Sequence, residues 1–181
     1  MPRINPVDHA AVDTDTKATL DGIKAKIGMV PNLYATFAQS PAVLNGFLSL
    51  SDSLSKGELT AAQRAIVALA TGQANECQYC VSAHSMLGKN AGLSPDALLA
   101  ARQGTAGNPL DNALAVLAAR LVATRGSVSD ADVAAAREGG LSDRQIIEVI
   151  AHVALNVMTN YTNNLTQPDI DFPVVSLAMA G

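Results

Sequence analysis

The sequence predicts an all-α protein, and three observations support this prediction. Apolar residues make up 49% of the 181 residues but aromatic residues only 3%, and the abundance of alanine favours closely packed helices. No stretch of strand length alternates between apolar and polar residues. Helix-starting and helix-ending signals recur along the chain. We expect a single domain over 1–181, with an N-terminal arm over 1–13 and an irregular tail over 168–181 that packs against a neighbour.

The first third of the chain is predicted to contain three helices. A helix over 16–26 has apolar residues spaced for one buried face, and Gly28 ends it. Shorter helices follow over 32–39 and 41–54, the second with Pro41 in its first turn. Their apolar stripe is predicted to be core or subunit interface rather than a cofactor pocket; it consists of Tyr34, Phe37, Val43, Leu44, Phe47 and Leu48.

Capping signals predict six further helices. Thr60, with Gln63 three residues later, has the spacing of a capping box and predicts a helix to about residue 74. The next helix is predicted over 75–90, with Asn75 as its N-cap. Further helices are predicted over 95–103, 110–125, 130–138 and 143–163.

A weak internal repeat links two of these helices. Leu59-Thr60-x-x-Gln63 and Leu141-Ser142-x-x-Gln145 begin long apolar helices at an offset of 82 residues. The repeat predicts two related helical hairpins that pack around one core. The second copy has no cysteines, and its equivalent stretch carries polar residues that could form a hydrogen-bonding scaffold or line a pocket; we expect the scaffold. These residues are Asn156, Asn160, Tyr161, Asn163 and Asn164.

Charge and hydropathy argue against several classes of partner. The formal net charge is -4 and no basic cluster is present, which argues against nucleic acid and against an anionic membrane surface. The first residues lack the apolar segment of a secretory signal. The longest apolar run, 65–70, is far shorter than the ~20 residues that span a bilayer. We therefore expect a cytoplasmic protein, in which a cysteine pair is catalytic rather than structural.

The two cysteines of the chain are its most informative residues. Cys77 and Cys80 lie three residues apart, and His84 follows four residues after the second. In a helix that turns about 100° per residue, the three side chains fall within roughly 60° of one another on one face. Two thiols and an imidazole in this arrangement can form a disulfide and transfer a proton. The pattern therefore predicts a thiol redox site.

Each thiol would have a different source of activation. Cys77 would lie in the first turn, where the helix dipole favours a thiolate. Cys80 and His84 are an i, i+4 pair, so the imidazole can take the proton of that thiol. The spacing alone leaves open which cysteine attacks.

Two other interpretations of the cysteine pair compete with the redox site. Cysteines are often small buried apolar residues, although two of them followed by a histidine make this a weaker explanation. Zinc could be bound by Cys77, Cys80 and His84, with His9 and His152 as the only other histidines. A structural zinc site normally takes four ligands, and the chain has no second cluster of Cys or His.

The sequence around the cysteine pair resembles the carboxymuconolactone decarboxylase superfamily, and within it the alkylhydroperoxidase D-like branch. The resemblance extends from about residue 15 to 175. It rests on the core Cys77-x-x-Cys80-x-x-x-His84 with its flanking residues, the turn Gly-Met-Val-Pro-Asn at 28–32, and Asn160-Tyr161 with Asp171-Phe172-Pro173. The resemblance implies an alkylhydroperoxidase D-like helical bundle. Decarboxylase members generally lack the cysteine pair, which argues against that activity.

The resemblance implies a thiol-dependent peroxidase. Cys80 would be the peroxidatic thiol, Cys77 the resolving thiol and His84 the proton relay, giving an alcohol or water and a Cys77–Cys80 disulfide. No cofactor or metal is implied. The implied partners are a small hydroperoxide, an unidentified electron-donor protein or thiol, and further copies in a trimer or hexamer. The alternatives are a redox-responsive or structural helical protein with little turnover, and a metal-binding module.

One position departs from the family pattern. The family usually has a glutamate twelve residues before the first cysteine, where this chain has Ala65. A second acidic position, four residues before that cysteine, is Gln73. The remaining candidates for a relay carboxylate are Glu58, Glu76 and Glu148. We therefore expect either a rewired proton relay or a slow peroxidase.

Overall fold

The computed structural model describes residues 1–179, which form nine α-helices and no strand. The all-α class is confirmed, and every predicted helix is present with its ends within three residues of the prediction. The last two residues of the predicted tail, 180–181, lie outside the described residues. The helices are α1 (Thr14–Ile27), α2 (Asn32–Phe37), α3 (Pro41–Ser55), α4 (Ala61–Ala74), α5 (Gln78–Asn90), α6 (Pro95–Arg102), α7 (Pro109–Thr124), α8 (Asp130–Glu138) and α9 (Asp143–Thr166).

Capping residues explain where the two repeated helices begin. At α4, the backbone N–H of Gln63 donates to the Thr60 hydroxyl at 3.2 Å, and the Gln63 side chain accepts from the Thr60 N–H at 3.0 Å. Ser142 and Gln145 form the same capping box at α9, with distances of 3.1 and 3.0 Å. The repeat in the sequence is therefore a repeat of helix starts.

The predicted start of α5 at Asn75 is wrong. Asn75 is the C-cap of α4, and Glu76 follows it in the left-handed conformation with φ of 52°. The N–H of Cys77 then donates back to the Gly72 carbonyl at 2.9 Å, which is the pattern of a Schellman motif. Helix α5 therefore begins only at Gln78, and Cys77 is its N-cap rather than a first-turn residue.

Helix α4 lies at the centre of the molecule and packs against α5, α6, α7 and α9. Its residues 65–72 are all buried, and its many alanines allow close approach from several sides. One core forms between α4 and α7 to α9 around Leu114 and Val149. A second core joins α1 to α3 with the cysteine pair, around Leu20 and Leu44. The cysteines therefore lie where the second core meets α4.

Helix α9 continues past the position that corresponds to the end of α4 in the first copy of the repeat. It runs unbroken for 24 residues, whereas α4 ends after 14 residues and leads into α5. The two related hairpins thus share their starts but differ after them. None of the helices within residues 1–179, α9 included, has both the length and the apolar character needed to cross a membrane.

The C-terminal tail is irregular, as predicted, and packs against helices of its own chain. The Val175 N–H donates to the Ser82 hydroxyl at 3.0 Å. The Gln73 side chain donates to the Leu177 carbonyl at 3.0 Å, and Arg102 donates to the Ser176 carbonyl at 2.6 Å. Over these residues the tail contacts α4, α5 and α6 of its own chain, and the expected contact with a neighbouring subunit stays a prediction.

Candidate active site

A cavity of about 520 Å³ lies among α3, α4, α5 and α9, and both Cys80 and His84 line it. Most of its wall is apolar. The stripe that was predicted to be core contributes to both: Phe37, Leu44 and Phe47 are buried in the core, and Tyr34 packs against it. Tyr34 and Phe47 also line the cavity, so these two aromatic residues form the boundary between core and cavity.

The two cysteines form a disulfide, with Cα atoms 5.3 Å apart. Both are buried, Cys77 with 0% and Cys80 with 3% of its surface exposed, but of the two only Cys80 lines the cavity. The sulfur of Cys77 accepts from the Cys80 backbone N–H at 3.3 Å. The pair therefore has an outer member that faces the cavity and an inner member behind it.

His84 lies one turn along α5 from Cys80 and lines the same cavity. Its side chain is partly exposed but enclosed by the cavity wall. Burial lowers the pKa of His84 to about 4, and a hydrogen bond with the Asn156 side chain partly offsets this effect. Because the Asn156 amide nitrogen donates to the His152 carbonyl at 2.8 Å, its oxygen is left to accept from the imidazole. The imidazole is thus neutral at pH 7.

The side chain of Asn163, on α9, donates a hydrogen bond to the disulfide. Its amide nitrogen donates to the Cys80 sulfur at 3.3 Å, and its side chain is buried with 4% exposure. The same donor would favour a thiolate on Cys80 in the reduced protein. Asn163 belongs to the polar row of the second copy, which was predicted to be scaffold.

The polar row divides into two groups with different roles. Asn156 lines the cavity together with Asn163. In contrast, Asn160 accepts from the Asn75 side chain at 2.9 Å, and Asn164 donates to the Asn75 carbonyl at 2.8 Å. The scaffold prediction is correct for the second group, which holds the end of α4 against α9, and wrong for the first.

Within residues 1–179, the wall of this cavity contains no carboxylate. Ala65 lines the cavity, so the position where the family usually has glutamate faces the site. Glu76 is exposed at the turn before α5, and Glu58 pairs with Arg144 at 2.9 Å. Glu148 accepts from the Glu58 backbone N–H at 2.9 Å. None of the three candidate carboxylates lines the cavity.

Gln73, the other family acidic position, also lies outside the cavity wall. Its side chain accepts from Arg102 at 2.9 Å and donates to the tail. It therefore fastens the tail to α4 and does not contact the imidazole of His84.

A hydrogen-bond network around Tyr79 joins three distant segments. The Tyr79 hydroxyl donates to Asp171 at 2.7 Å and accepts from the Leu33 N–H at 3.2 Å. Asp171 also accepts from the Asn32 N–H at 2.7 Å and from the Asn32 side-chain amide. Burial raises the pKa of Tyr79 well above its usual value, and the hydrogen bond to Asp171 raises it further. The turn at 28–32, the cysteine motif and the tail therefore meet beside the cavity.

The zinc hypothesis receives no support from the described residues. Over 1–179, no three Cys, His, Asp or Glu side chains converge into a group that could hold a metal ion. His9 lies in the N-terminal arm, with its Nε2 atom 3.0 Å from the Asp21 carboxylate of α1. His152 lies on α9 and lines the cavity.

The fold and the site together define an all-helical protein with a redox-capable cysteine pair at a largely apolar cavity. Residues 41–120 match the sequence model of the Carboxymuconolactone decarboxylase family. The structure is similar to the alkylhydroperoxidase AhpD core structure of an uncharacterized peroxidase-related protein from Ralstonia eutropha JMP134. Identity is 26% and the TM-score 0.84, over 94% of this chain and 92% of that one.

Other solved structures share the fold at lower identity. An uncharacterized peroxidase-related protein from Silicibacter sp. TM1040 is 22% identical with a TM-score of 0.77, covering 91% of this chain and 90% of that one. A variant of the debrominase Bmp8, in complex with 2,3,4-tribromopyrrole, is 16% identical with a TM-score of 0.78, covering 93% and 91%. No curated protein matches the sequence. The chain is thus similar to the Carboxymuconolactone decarboxylase family over residues 41–120 and shares the fold of the AhpD core structure.

Proposed function

We propose that the protein is a thiol-dependent peroxidase in which Cys80 attacks the peroxide, Cys77 resolves the product and His84 carries the proton. The observation that most directly supports this assignment is the asymmetry of the pair: Cys80 faces the cavity, whereas Cys77 lies behind it. A peroxide that enters the cavity meets Cys80 first. His84, from the same wall, is neutral and can accept the thiol proton, although only as a weak base because burial lowers its pKa to about 4.

In the first step, the Cys80 thiol gives its proton to His84 and the thiolate attacks one oxygen of the hydroperoxide. The S–O bond forms as the O–O bond breaks, so the sulfur is oxidised by two electrons and the peroxide is reduced by two. His84 returns the proton to the departing alkoxide, which leaves as an alcohol. The Asn163 amide, 3.3 Å from the sulfur, stabilises the negative charge on the thiolate before attack.

In the second step, the Cys77 thiol attacks the sulfenic acid of Cys80. The S–S bond forms as the S–O bond breaks, and the hydroxyl leaves as water with the proton of Cys77. The product is the disulfide seen in the structure. Two electrons and two protons from an external dithiol, protein or small molecule, then restore both thiols. Cytoplasmic location stays a prediction; a reducing compartment would supply this donor.

A titration with hydroperoxide tests the proposal. Less than one equivalent of cumene hydroperoxide, added to the reduced protein, is expected to remove two thiols for each peroxide consumed. Thiol counting follows the loss, and intact mass distinguishes an intramolecular disulfide from a dimer. The same titration of a Cys77→Ser variant is expected to remove one thiol per peroxide. Thiols that persist in both proteins would instead indicate a structural helical protein without turnover.

We also propose that the protein assembles into a closed homo-oligomer. Helix α9 carries an exposed apolar stripe with helical spacing, consisting of Ile147, Ile150, Met158, Tyr161 and Leu165. Such a stripe is favourably buried against a second copy of the chain. Light scattering is expected to show a multiple of the 18.6 kDa chain. A particle of single-chain mass at micromolar concentration would contradict the proposal.

A further inference from the structure

The charge of the cavity is opposite to that of the protein. The chain has a formal net charge of -4, yet the charged side chains in the described cavity wall are Lys26 and Arg64, both cationic. One Arg64 nitrogen donates to the backbone carbonyls of Leu59 at 2.5 Å and Ser55 at 3.4 Å. Over residues 1–179, no carboxylate forms an ion pair with Arg64. Its remaining N–H groups can therefore bind an anion that enters the cavity.

His152 supplies a second polar group at the same end of the cavity. Its side chain is 5% exposed, and its Nε2 atom has no hydrogen-bond partner within the described residues. A buried polar atom without a partner is costly unless a ligand satisfies it. Burial lowers the pKa of His152, the charge of Arg64 lowers it further and Glu148 opposes this. The neutral imidazole can donate one N–H.

The two polar ends of the cavity are well separated. Helices α4 and α9 run in the same direction, because Glu148 contacts the residues just before α4 and Asn160 contacts Asn75 at its end. His152 and Arg64 therefore lie at one end, and Asn163 with Cys80 at the other. From residue 152 to residue 163 the helix rises about 16 Å, at 1.5 Å per residue. Between the two ends the wall carries the apolar residues Ala68, Ala83 and Leu155, together with the hydrogen-bonded His84–Asn156 pair and Thr159.

We propose that the cavity binds an amphipathic molecule whose carboxylate lies at Arg64 and His152 and whose apolar body extends toward Cys80. Arg64 offers a planar fork of donors that suits a carboxylate, and His152 offers a single donor beside it. Lys26 at the rim attracts the anion. If the protein reduces peroxides as proposed above, the substrate is then a carboxylic acid that carries its hydroperoxide at the opposite end.

Binding can be measured without turnover in the disulfide form of the protein. We expect calorimetry to show that decanoate binds about tenfold or more tightly than decanol, because a charge-assisted hydrogen bond is lost with the alcohol. Arg64→Gln is expected to remove this preference and to leave decanol binding unchanged. The matched control is Arg144→Gln, which removes an equal charge from a surface pair outside the cavity and is expected to retain the preference.

A second variant covers the case that Arg64→Gln unfolds, since Arg64 also holds the loop before α4. His152→Leu fills about the same space but has no hydrogen-bond donor. We expect it to weaken decanoate binding several-fold and to retain decanol binding. The carboxylate site is overturned if wild-type protein binds decanoate and decanol equally. It is also overturned if the folded variants lose affinity for both ligands to the same extent.

Kinetics separate the carboxylate site from the peroxidase activity. A decanoate with a terminal hydroperoxide is expected to be reduced with a kcat/KM about tenfold above that of its methyl ester. If both peroxides are reduced equally, the peroxidase proposal stands and the carboxylate site fails. If neither is reduced while decanoate still binds more tightly than decanol, the carboxylate site stands and the peroxidase proposal fails.

Discussion

Helices α4 and α9 begin with the same capping box but differ in how they end. Helix α4 stops at Ala74, and the left-handed Glu76 then turns the chain so that Cys77 caps the next helix. Helix α9 passes the corresponding position without a break and presents Asn156 and Asn163 to the cavity. The copy that is interrupted after α4, here called the broken copy, thus supplies the two sulfurs. The uninterrupted copy in α9, here called the continuous copy, supplies hydrogen bonds around them. One repeated pattern of helix starts therefore contributes to both halves of the site, because only one of its two copies is interrupted.

The largest effect is expected from the sulfurs of the broken copy. Cys80→Ser should abolish peroxide reduction, because the remaining thiol lies behind the cavity wall. Cys77→Ser should leave a sulfenic acid on Cys80 that accumulates and overoxidises, because no thiol is left to condense with it. Mass spectrometry after peroxide treatment distinguishes the two proteins. A stable sulfenic acid on Cys77 in the Cys80→Ser variant would reverse the assignment.

A second large effect is expected from Ala65→Glu in α4. The pKa of His84 is about 4 because the site buries the imidazole without a carboxylate, which makes it a poor proton acceptor at neutral pH. A glutamate at this position of the cavity wall would favour the imidazolium and raise the pKa of His84. We expect the rate of peroxide reduction to rise on the order of tenfold or more, as measured by stopped flow with an NMR titration of His84.

The control for this change is Ala74→Glu, at the exposed end of the same helix, which should leave the rate unchanged. A buried glutamate without a partner costs several kcal/mol, so melting temperatures must accompany the rates. A folded Ala65→Glu protein with an unaltered rate would show that His84 needs no carboxylate.

The contribution of the continuous copy can be measured with Asn163→Ala. This change removes the amide that donates to the Cys80 sulfur at 3.3 Å. A hydrogen bond to a charged group contributes about 1.5–3 kcal/mol, so the neutral-pH rate should fall about ten- to hundredfold and recover at higher pH as the thiolate forms. Ultraviolet titration of the thiolate is the direct measurement. Asn164→Ala, which removes a contact of the scaffold group, should not shift that titration.

The smallest effect is expected from one substitution made at corresponding positions of the two copies. Glu76→Gly should raise the free energy of unfolding by about 0.5–1 kcal/mol, because glycine adopts the left-handed conformation without strain. Met158→Gly, 82 residues later, should lower it by about 1 kcal/mol, because it lies inside α9. Each change corresponds to about 2–4 °C in melting temperature. Melting temperatures that shift in the same direction in both variants would contradict the proposed difference between the turn at Glu76 and the continuous helix at Met158.

Most of the fold could be predicted from the sequence because its signals are local. The capping boxes at Thr60 and Ser142 and the first-turn Pro95 mark helix starts that the structure confirms. The start of α5 could not be predicted in this way. Asn75 suits an N-cap as well as the end of a helix, and the left-handed turn uses Glu76 rather than the glycine that usually marks such a position.

Only those residues of the candidate site that lie on a single helix, α5, could be predicted from the sequence. Cys80 and His84 were placed on one face because they lie four residues apart in a helical segment, and both do line the cavity. The contact of Asn163 with Cys80 joins residues 83 positions apart, and that of Tyr79 with Asp171 joins residues 92 apart. Such partners are decided by how the helices pack, for which a single sequence carries no local signal.

The network around Tyr79 also has a consequence for the order in which the protein is made. During synthesis the cysteine motif leaves the ribosome well before Asp171, which holds the Tyr79 hydroxyl at 2.7 Å, and before Asn163. Nascent chains therefore carry two thiols that neither α9 nor the tail yet encloses. The reactive pocket is completed only after α9 and Asp171 have been synthesised, so a stalled chain that ends before residue 160 should be modified by thiol reagents faster than the folded 181-residue chain.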